Sequence, residues 1–327
     1  MAEKLLSQLA HVEILSPRPE ETVRFLTDVL GLQESGRSGG SVYLRGWSEF
    51  FHHSLQVTEG DAPGLGHIGW RAMGPDQLAS AVARLEASGQ GQGWHEGSAG
   101  HGPAYRYRAP HGGQLHEVFW EVERYDAPAA LRSTFPNRPQ QHPNRGIATR
   151  YLDHVTVASR DIMADCLWYR DTLGHRLMEW TAAAPDSDYC VFAMLSVCER
   201  SHDFGIVPDP SSVTGRINHV AFWLDQREDL RRAADLLLES DVGIEFGPGR
   251  HGMGEIDYVY FREPGGMRLE LNSGTIRNYE PDWRPVRWTM DQGSNVFFRN
   301  VDFPASMFDT FPVAPASERP QPTGAFH

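Results

Sequence analysis

The chain is poor in cysteine: Cys166, Cys190 and Cys198 are the only three in 327 residues. So few thiols, in odd number, form no disulfide scaffold and fit a reducing cytoplasm. Long hydrophobic runs are also missing, and no apolar stretch approaches the ~18–20 residues of a membrane helix. The opening Met1-Ala2-Glu3-Lys4-Leu5-Leu6 brings an acidic side chain at once and no apolar core, so no secretory signal is expected. Positive charge is in deficit, with 30 Lys and Arg against 43 Asp and Glu and a formal charge of −13. No basic run offsets it, which argues against nucleic acid or an anionic membrane as a partner. What remains, 40% hydrophobic and 22% charged residues, is the makeup of a globular protein long enough for about two domains.

The chain repeats itself. Leu9-Ala10-His11-Val12-Glu13-Ile14-Leu15 resembles Leu152-Asp153-His154-Val155-Thr156-Val157-Ala158. Each reads as a strand followed by a helix, Thr22–Leu30 stopping at Gly31 and Met163–Leu173 stopping at Gly174, with glycine placed to close the last carbonyls. Further on, Leu65-Gly66-His67-Ile68-Gly69-Trp70 matches Ile217-Asn218-His219-Val220-Ala221-Phe222-Trp223, and helical patterns follow at Gln77–Ser88 and Glu228–Ser240. A Pro-Gly turn then leads into the closing strands Gln114–Glu121 and Met267–Asn272. Four paired segments in order imply a duplicated module. Within each module the order strand, helix, strands recurs, so the expected fold is α+β, with two tandem modules each built from paired βαβββ units around a concave sheet. The expected boundaries are residues 1–140, then 147–280, joined by a polar linker, and an aromatic tail over 281–327 that packs over a module.

Among the fifteen histidines, placement singles out two. His154 and His219 are each the third residue of a strand that opens one half of the second module, between apolar neighbours. Glu270 is mid-strand in Met267-Arg268-Leu269-Glu270-Leu271. Unpaired imidazoles and carboxylates are costly to bury. Three separately satisfied core residues are one reading. The other is a divalent metal between them, since two His and one carboxylate form the facial triad associated with non-heme Fe(II).

The segment Gly249-Arg250-His251, then Val259-Tyr260, then Glu263-Pro264-Gly265-Gly266 and Glu270 resembles the signature of type I extradiol ring-cleaving dioxygenases of the vicinal oxygen chelate superfamily. That resemblance, spanning about residues 5–275, implies the vicinal oxygen chelate (glyoxalase-like) fold and a catalytic C-terminal module with His154, His219 and Glu270 as metal ligands. It also implies a catalytic His202, within Ser201-His202-Asp203-Phe204, and assigns Tyr260 and His251 to the substrate oxygens. The implied metal is Fe(II), with Mn(II) accepted by the same ligands. The implied reaction is extradiol cleavage of a catechol by O2 to a 2-hydroxymuconic semialdehyde-type product, in a cytoplasmic homo-oligomer, a tetramer. The interval from His202 to His219 is longer than the resemblance suggests, and an insertion at Asp209–Gly215 would absorb it.

The N-terminal module keeps His11, His67 and either His116 or Glu117 as counterparts, the register being ambiguous. They are expected to be packed relics of the duplication in a module that is non-catalytic and metal-free. No Lys or Arg pattern in the second module announces an anion clamp, although Arg250, Arg284 and Arg287 are near enough in sequence to be candidates. Phe246, Val191, Phe192 and the aromatic tail suggest an apolar substrate wall. An uncharged or alkyl- or aryl-substituted catechol is therefore expected. The alternatives within this fold are a glyoxalase- or epimerase-type metalloenzyme and a metal-free drug- or aromatic-binding resistance protein.

Overall fold

The computed structural model describes residues 4–209, 211–314 and 316–318. The N-terminal module comprises β1 (Leu6–Ser16), α1 (Pro19–Asp28), β2 (Gln33–Ser38), β3 (Ser41–Arg45) and β4 (Leu55–Glu59), then β5 (Gly64–Ala72), α2 (Pro75–Ala87), β6 (Gly91–His95), β7 (Ala104–Arg108) and β8 (Leu115–Phe119). The C-terminal module repeats this with β9 (Tyr151–Ser159), α3 (Ile162–Leu173), β10 (Arg176–Ala182), β11 (Cys190–Ser196) and β12 (Phe204–Pro208), then β13 (Ile217–Trp223), α4 (Arg227–Glu239), β14 (Ile244–Arg250), β15 (Asp257–Arg262) and β16 (Arg268–Ser273). Each half is a βαβββ unit. The four helices fall where the apolar spacing places them, and Gly174 closes α3 in the left-handed conformation at φ 78°.

The units pair through their first strands. β1 runs antiparallel to β5 at the centre of an eight-stranded sheet, and β9 runs antiparallel to β13 at the centre of a nine-stranded one. The ninth strand, β17 (Val286–Thr289), comes from the tail and pairs in parallel with the edge of β10. Periodicity gives no hint of it in four residues of Val-Arg-Trp-Thr. β14 also escapes a sequence reading, because Gly247-Pro248-Gly249 interrupts its pattern. Helices pack against the sheets, and the opposite, concave faces carry the repeated histidines.

The modules are welded together. The signature residue Glu263 lies outside the site. Its carboxylate accepts the amides of Gly265 (2.6 Å) and Met267 (2.8 Å) and the Thr22 hydroxyl of the other module at 2.5 Å. It thus builds the turn that launches β16. His116 faces the intermodule core, accepting from Trp70 Nε1 at 3.0 Å and lying 2.8 Å from the Tyr169 hydroxyl. Its neighbour Glu117 points the opposite way, onto the concave face. Within residues 281–314 of the tail, Phe311 forms a bridge with Ile217 of the C-terminal module. Residues 319–327 lie outside the described residues.

Candidate active site

Strand register decides which side chains converge. Ala221 of β13 lies opposite His154 of β9 on one side and Glu270 of β16 on the other. His219, two residues earlier on β13, projects from the same face, since alternate strand residues do. The result is a triangle of donor atoms: His154 Nε2 to His219 Nε2 is 3.1 Å, and the two nitrogens lie 3.2 and 3.1 Å from Glu270 Oε2.

The hydrogen-bond partners fix the tautomers. His154 Nδ1 donates to Asp153 Oδ2 at 2.9 Å, and His219 Nδ1 donates to Asn218 Oδ1 at 2.7 Å. Both Nε2 lone pairs therefore face each other and a buried carboxylate whose two oxygens accept no hydrogen bond in good geometry. Three electron-rich atoms cannot be packed this way without a cation between them. Without a metal, a proton takes that place. Burial disfavours charge on His154, but Glu270 and Asp153 outweigh it and raise its pKa, while burial lowers that of His219. Metal–ligand bonds of about 2.0–2.2 Å give donor–donor edges of about 2.8–3.6 Å in octahedral or tetrahedral geometry, and all three edges fall in that range. The residues fit a divalent metal.

The sequence does not single out Asn218 and Asp153, though each stands immediately before a histidine of the triad. The Asn218 amide donates to the backbone oxygens of Met307 (3.0 Å) and Asp309 (3.1 Å) in the tail, which turns its oxygen toward His219. The C-terminal tail thereby orients His219.

The triad opens into a cavity of about 530 Å³. His202, buried, lies beside it with ring centroids 4.0 Å from His154. β12 pairs in register with β9, which sets His202 beside His154 independently of the interval that follows it. Burial, reinforced by His154, pushes its pKa well below the usual imidazole value, so it is neutral. His251 and Tyr260 form a second pair. His251 Nδ1 donates to the Asn295 carbonyl at 2.6 Å, which leaves Nε2 to accept the Tyr260 hydroxyl at 3.0 Å. All six expected site residues thus line one cavity.

The cavity wall corrects part of the sequence reading. Val191 and Phe192 line it as expected, joined by Phe303, Met307 and Phe308 from the tail. Phe246 does not; it is buried, its ring packed against those of Tyr258 and Tyr260. Arg250, Arg284 and Arg287 do not line it either. Arg250 pairs with Glu255 at 2.8 Å, and Arg287 donates to the carbonyls of Ala184, Pro185 and Ser187. Among the described residues the lining contains no lysine or arginine.

Fold and site agree with the kinship of the chain. It belongs to the Glyoxalase/Bleomycin resistance protein/Dioxygenase superfamily, which it matches over residues 8–112 and 151–271, and within it to the extradiol ring-cleaving dioxygenases. It is 38% identical over 288 residues to a metapyrocatechase of Geobacillus stearothermophilus, spanning 88% of this chain and 86% of that protein. It is 34% identical over 287 residues to a manganese-dependent 2,3-dihydroxybiphenyl 1,2-dioxygenase of Geobacillus genomosp. 3, spanning 86% and 90%. The crystal structure of a 2,3-dioxygenase from Pseudomonas sp. KL28 superposes with a TM-score of 0.80 at 28% identity, covering 88% of this chain and 99% of that one.

Proposed function

We propose that this chain cleaves an uncharged, apolar-substituted catechol beside its diol with O2, using Fe(II), or Mn(II) in its place, held by His154, His219 and Glu270. One observation carries the reading: the triad opens into a cavity that also holds His202 and the His251–Tyr260 pair. A metal bound there would acidify and orient the two substrate hydroxyls and leave room for O2 alongside.

The remaining work belongs to the chain. Tyr260 gives its proton to His251 Nε2 in a hydrogen bond, so its oxygen is free to accept one from a substrate hydroxyl. Neutral His202 holds Nδ1 near the Ser201 hydroxyl at 3.2 Å, leaving Nε2 to take a proton and return it as the ring opens. Phe192, Phe303, Met307 and Phe308 exclude water around the ring and its substituent. With no lysine or arginine in the lining among the described residues, a substrate carboxylate would be buried unpaired there, which disfavours acidic catechols.

Oxygen uptake and yellow product should appear with catechol and its alkyl or aryl derivatives once the protein is loaded with Fe(II), with O2 and catechol consumed one to one. Metal-free protein that binds the aromatic without consuming O2 would favour the binding-protein reading. The N-terminal module is read as non-catalytic. The three free cysteines support a cytoplasmic setting, and family kinship supports a homotetramer, which sedimentation would check.

A further inference from the structure

The N-terminal module holds a second triad. β8 pairs with β5 so that Gly69 lies opposite Glu117, as Ala221 lies opposite Glu270, which resolves the register in favour of Glu117. His11 Nε2 and His67 Nε2 lie 2.8 Å apart, and they are 3.3 and 3.4 Å from Glu117 Oε1. These edges also lie within the about 2.8–3.6 Å expected of ligands around one divalent ion. We infer that His11, His67 and Glu117 form a second metal site, one that takes a divalent first-row transition cation of the Zn2+ class and does not admit substrate.

Two observations beyond the triad point to a ligand. Glu117 is 1% exposed, and its Oε1 accepts no hydrogen bond in good geometry although a third imidazole, His101, also brings Nε2 to 3.1 Å. His101 Nδ1 donates to the Gly102 carbonyl at 2.9 Å and its Nε2 accepts from the Ser98 hydroxyl at 2.8 Å, so a neutral His101 has no proton to give that carboxylate. Beside it, the buried His53 has an Nε2 with no hydrogen-bond partner. Together with His11 and His101 it lines a cavity of about 10 Å³. That is space for about one water, and none for a catechol.

The surroundings of the triad are rebuilt rather than decayed. His67 Nδ1 donates to Glu13 Oε2 at 2.7 Å, the role that Asn218 plays for His219. Glu13 stands at the position of Thr156, and Gly66 at the position of Asn218. A Cβ on Gly66 would lie 2.1 Å from the Glu13 carboxylate, so the exchange is a compensated pair. A Cβ on Gly69 would likewise strike the His11 ring at 2.2 Å. Residues that only fill space need no carboxylate oriented on an imidazole, whereas a metal-bound histidine almost always has such a partner.

The test counts metal in the full chain. Wild-type protein is stripped with chelator, loaded with Zn2+, dialysed and analysed for zinc per chain, beside a His154→Ala/His219→Ala variant whose N-terminal module is untouched. The expected result is two equivalents in the wild type and one in the variant, with X-ray absorption of the latter showing only nitrogen and oxygen donors and imidazole scattering. Adding His67→Ala and Glu117→Gln should remove that last equivalent. One equivalent in wild type and none in the His154→Ala/His219→Ala variant would overturn the assignment and leave a shared proton in the metal's place. Ring cleavage does not enter this readout, so failure of the catalytic reading would leave it standing.

Discussion

The two modules offer the same three donors in the same register, yet their concave faces are built for different ends. In the C-terminal module Tyr260 pairs across the sheet with Glu270; in the N-terminal module the residue opposite Glu117 is Arg106. The phenol that would receive a substrate is thus replaced by a guanidinium 3.5 Å from the ligand carboxylate. His53 occupies the register position of His202, one strand over from the first histidine, but it faces about 10 Å³ rather than about 530 Å³. Metal-binding capacity and catalytic capacity are therefore separable in this fold. The first needs two histidines and a carboxylate on three central strands; the second needs open volume and proton-handling neighbours.

The largest expected effect comes from the C-terminal ligands. Glu270→Gln should abolish turnover and release the catalytic metal, because it replaces one of three protein ligands with a weak neutral donor. The loss should exceed the about 10–100-fold that outer-shell changes cause. The matching Glu117→Gln should leave kcat near wild type. Steady-state kinetics and metal analysis of both variants test this directly; equal losses would mean that the modules share the chemistry.

Next in size is His202→Phe. No ligand is removed, so metal content and catechol affinity should hold while turnover falls by ~10²–10⁴, the usual contribution of a positioned proton donor or acceptor. Normal turnover would transfer the proton role to another group, with His251 the first to examine. His53→Phe, the equivalent change in the other module, should not alter turnover.

Much of this comparison was readable in the sequence, for a physical reason. Strand alternation and the internal repeat put His11 with His154 and His67 with His219, and sheet register carries such pairings into space without further information. The same periodicity could not choose between His116 and Glu117, because the extra residue in the Pro110-His111-Gly112-Gly113 turn moves the register by one and only the pairing with Gly69 resolves it. Residues whose role depends on distant chain were hidden. Asn218 matters because the tail near Met307 and Asp309 orients its amide, and Phe303, Met307 and Phe308 reach the cavity from a segment without periodicity. Phe246 lies on β14, and the Gly247-Pro248-Gly249 interruption hides both that strand and the facing of Phe246 from the sequence pattern.

A smaller effect is expected from the groups that orient ligands. Asn218→Ala removes the acceptor on His219 Nδ1 and should weaken metal binding at the C-terminal site by about 10–100-fold, read as faster metal loss to a chelator. kcat at saturating metal should change less. Asn218→Asp keeps an acceptor but loses the two amide donations to the tail, so it should restore much of the metal affinity while loosening the tail. If Asn218→Ala holds its metal as tightly as wild type, orientation by the amide is unimportant.

The smallest effect concerns the strap that only the C-terminal module possesses. Arg268, fully buried, donates to Glu245 through Nε and Nη2 at 2.8 Å each, and through Nη1 to the Asp309 carbonyl at 2.9 Å. Arg262 links Glu245 at 3.0 Å to the Asp309 carboxylate at 2.9 Å. Burial would raise the Glu245 pKa, but Arg268 and Arg262 outweigh it and hold the carboxyl down to about 2. A depressed carboxyl pKa stabilises the fold above the unfolded value near 4.5, and that contribution is lost as pH falls toward 2. Glu245→Gln should therefore cost about 1–3 kcal/mol at pH 7, seen as a lower melting temperature, and the gap to wild type should narrow between pH 4.5 and 3. The tail lines the cavity without touching the donor atoms, so KM for a bulky catechol should rise more than kcat falls. A melting difference that stays constant from pH 7 to pH 3 would show that Glu245 contributes packing rather than charge.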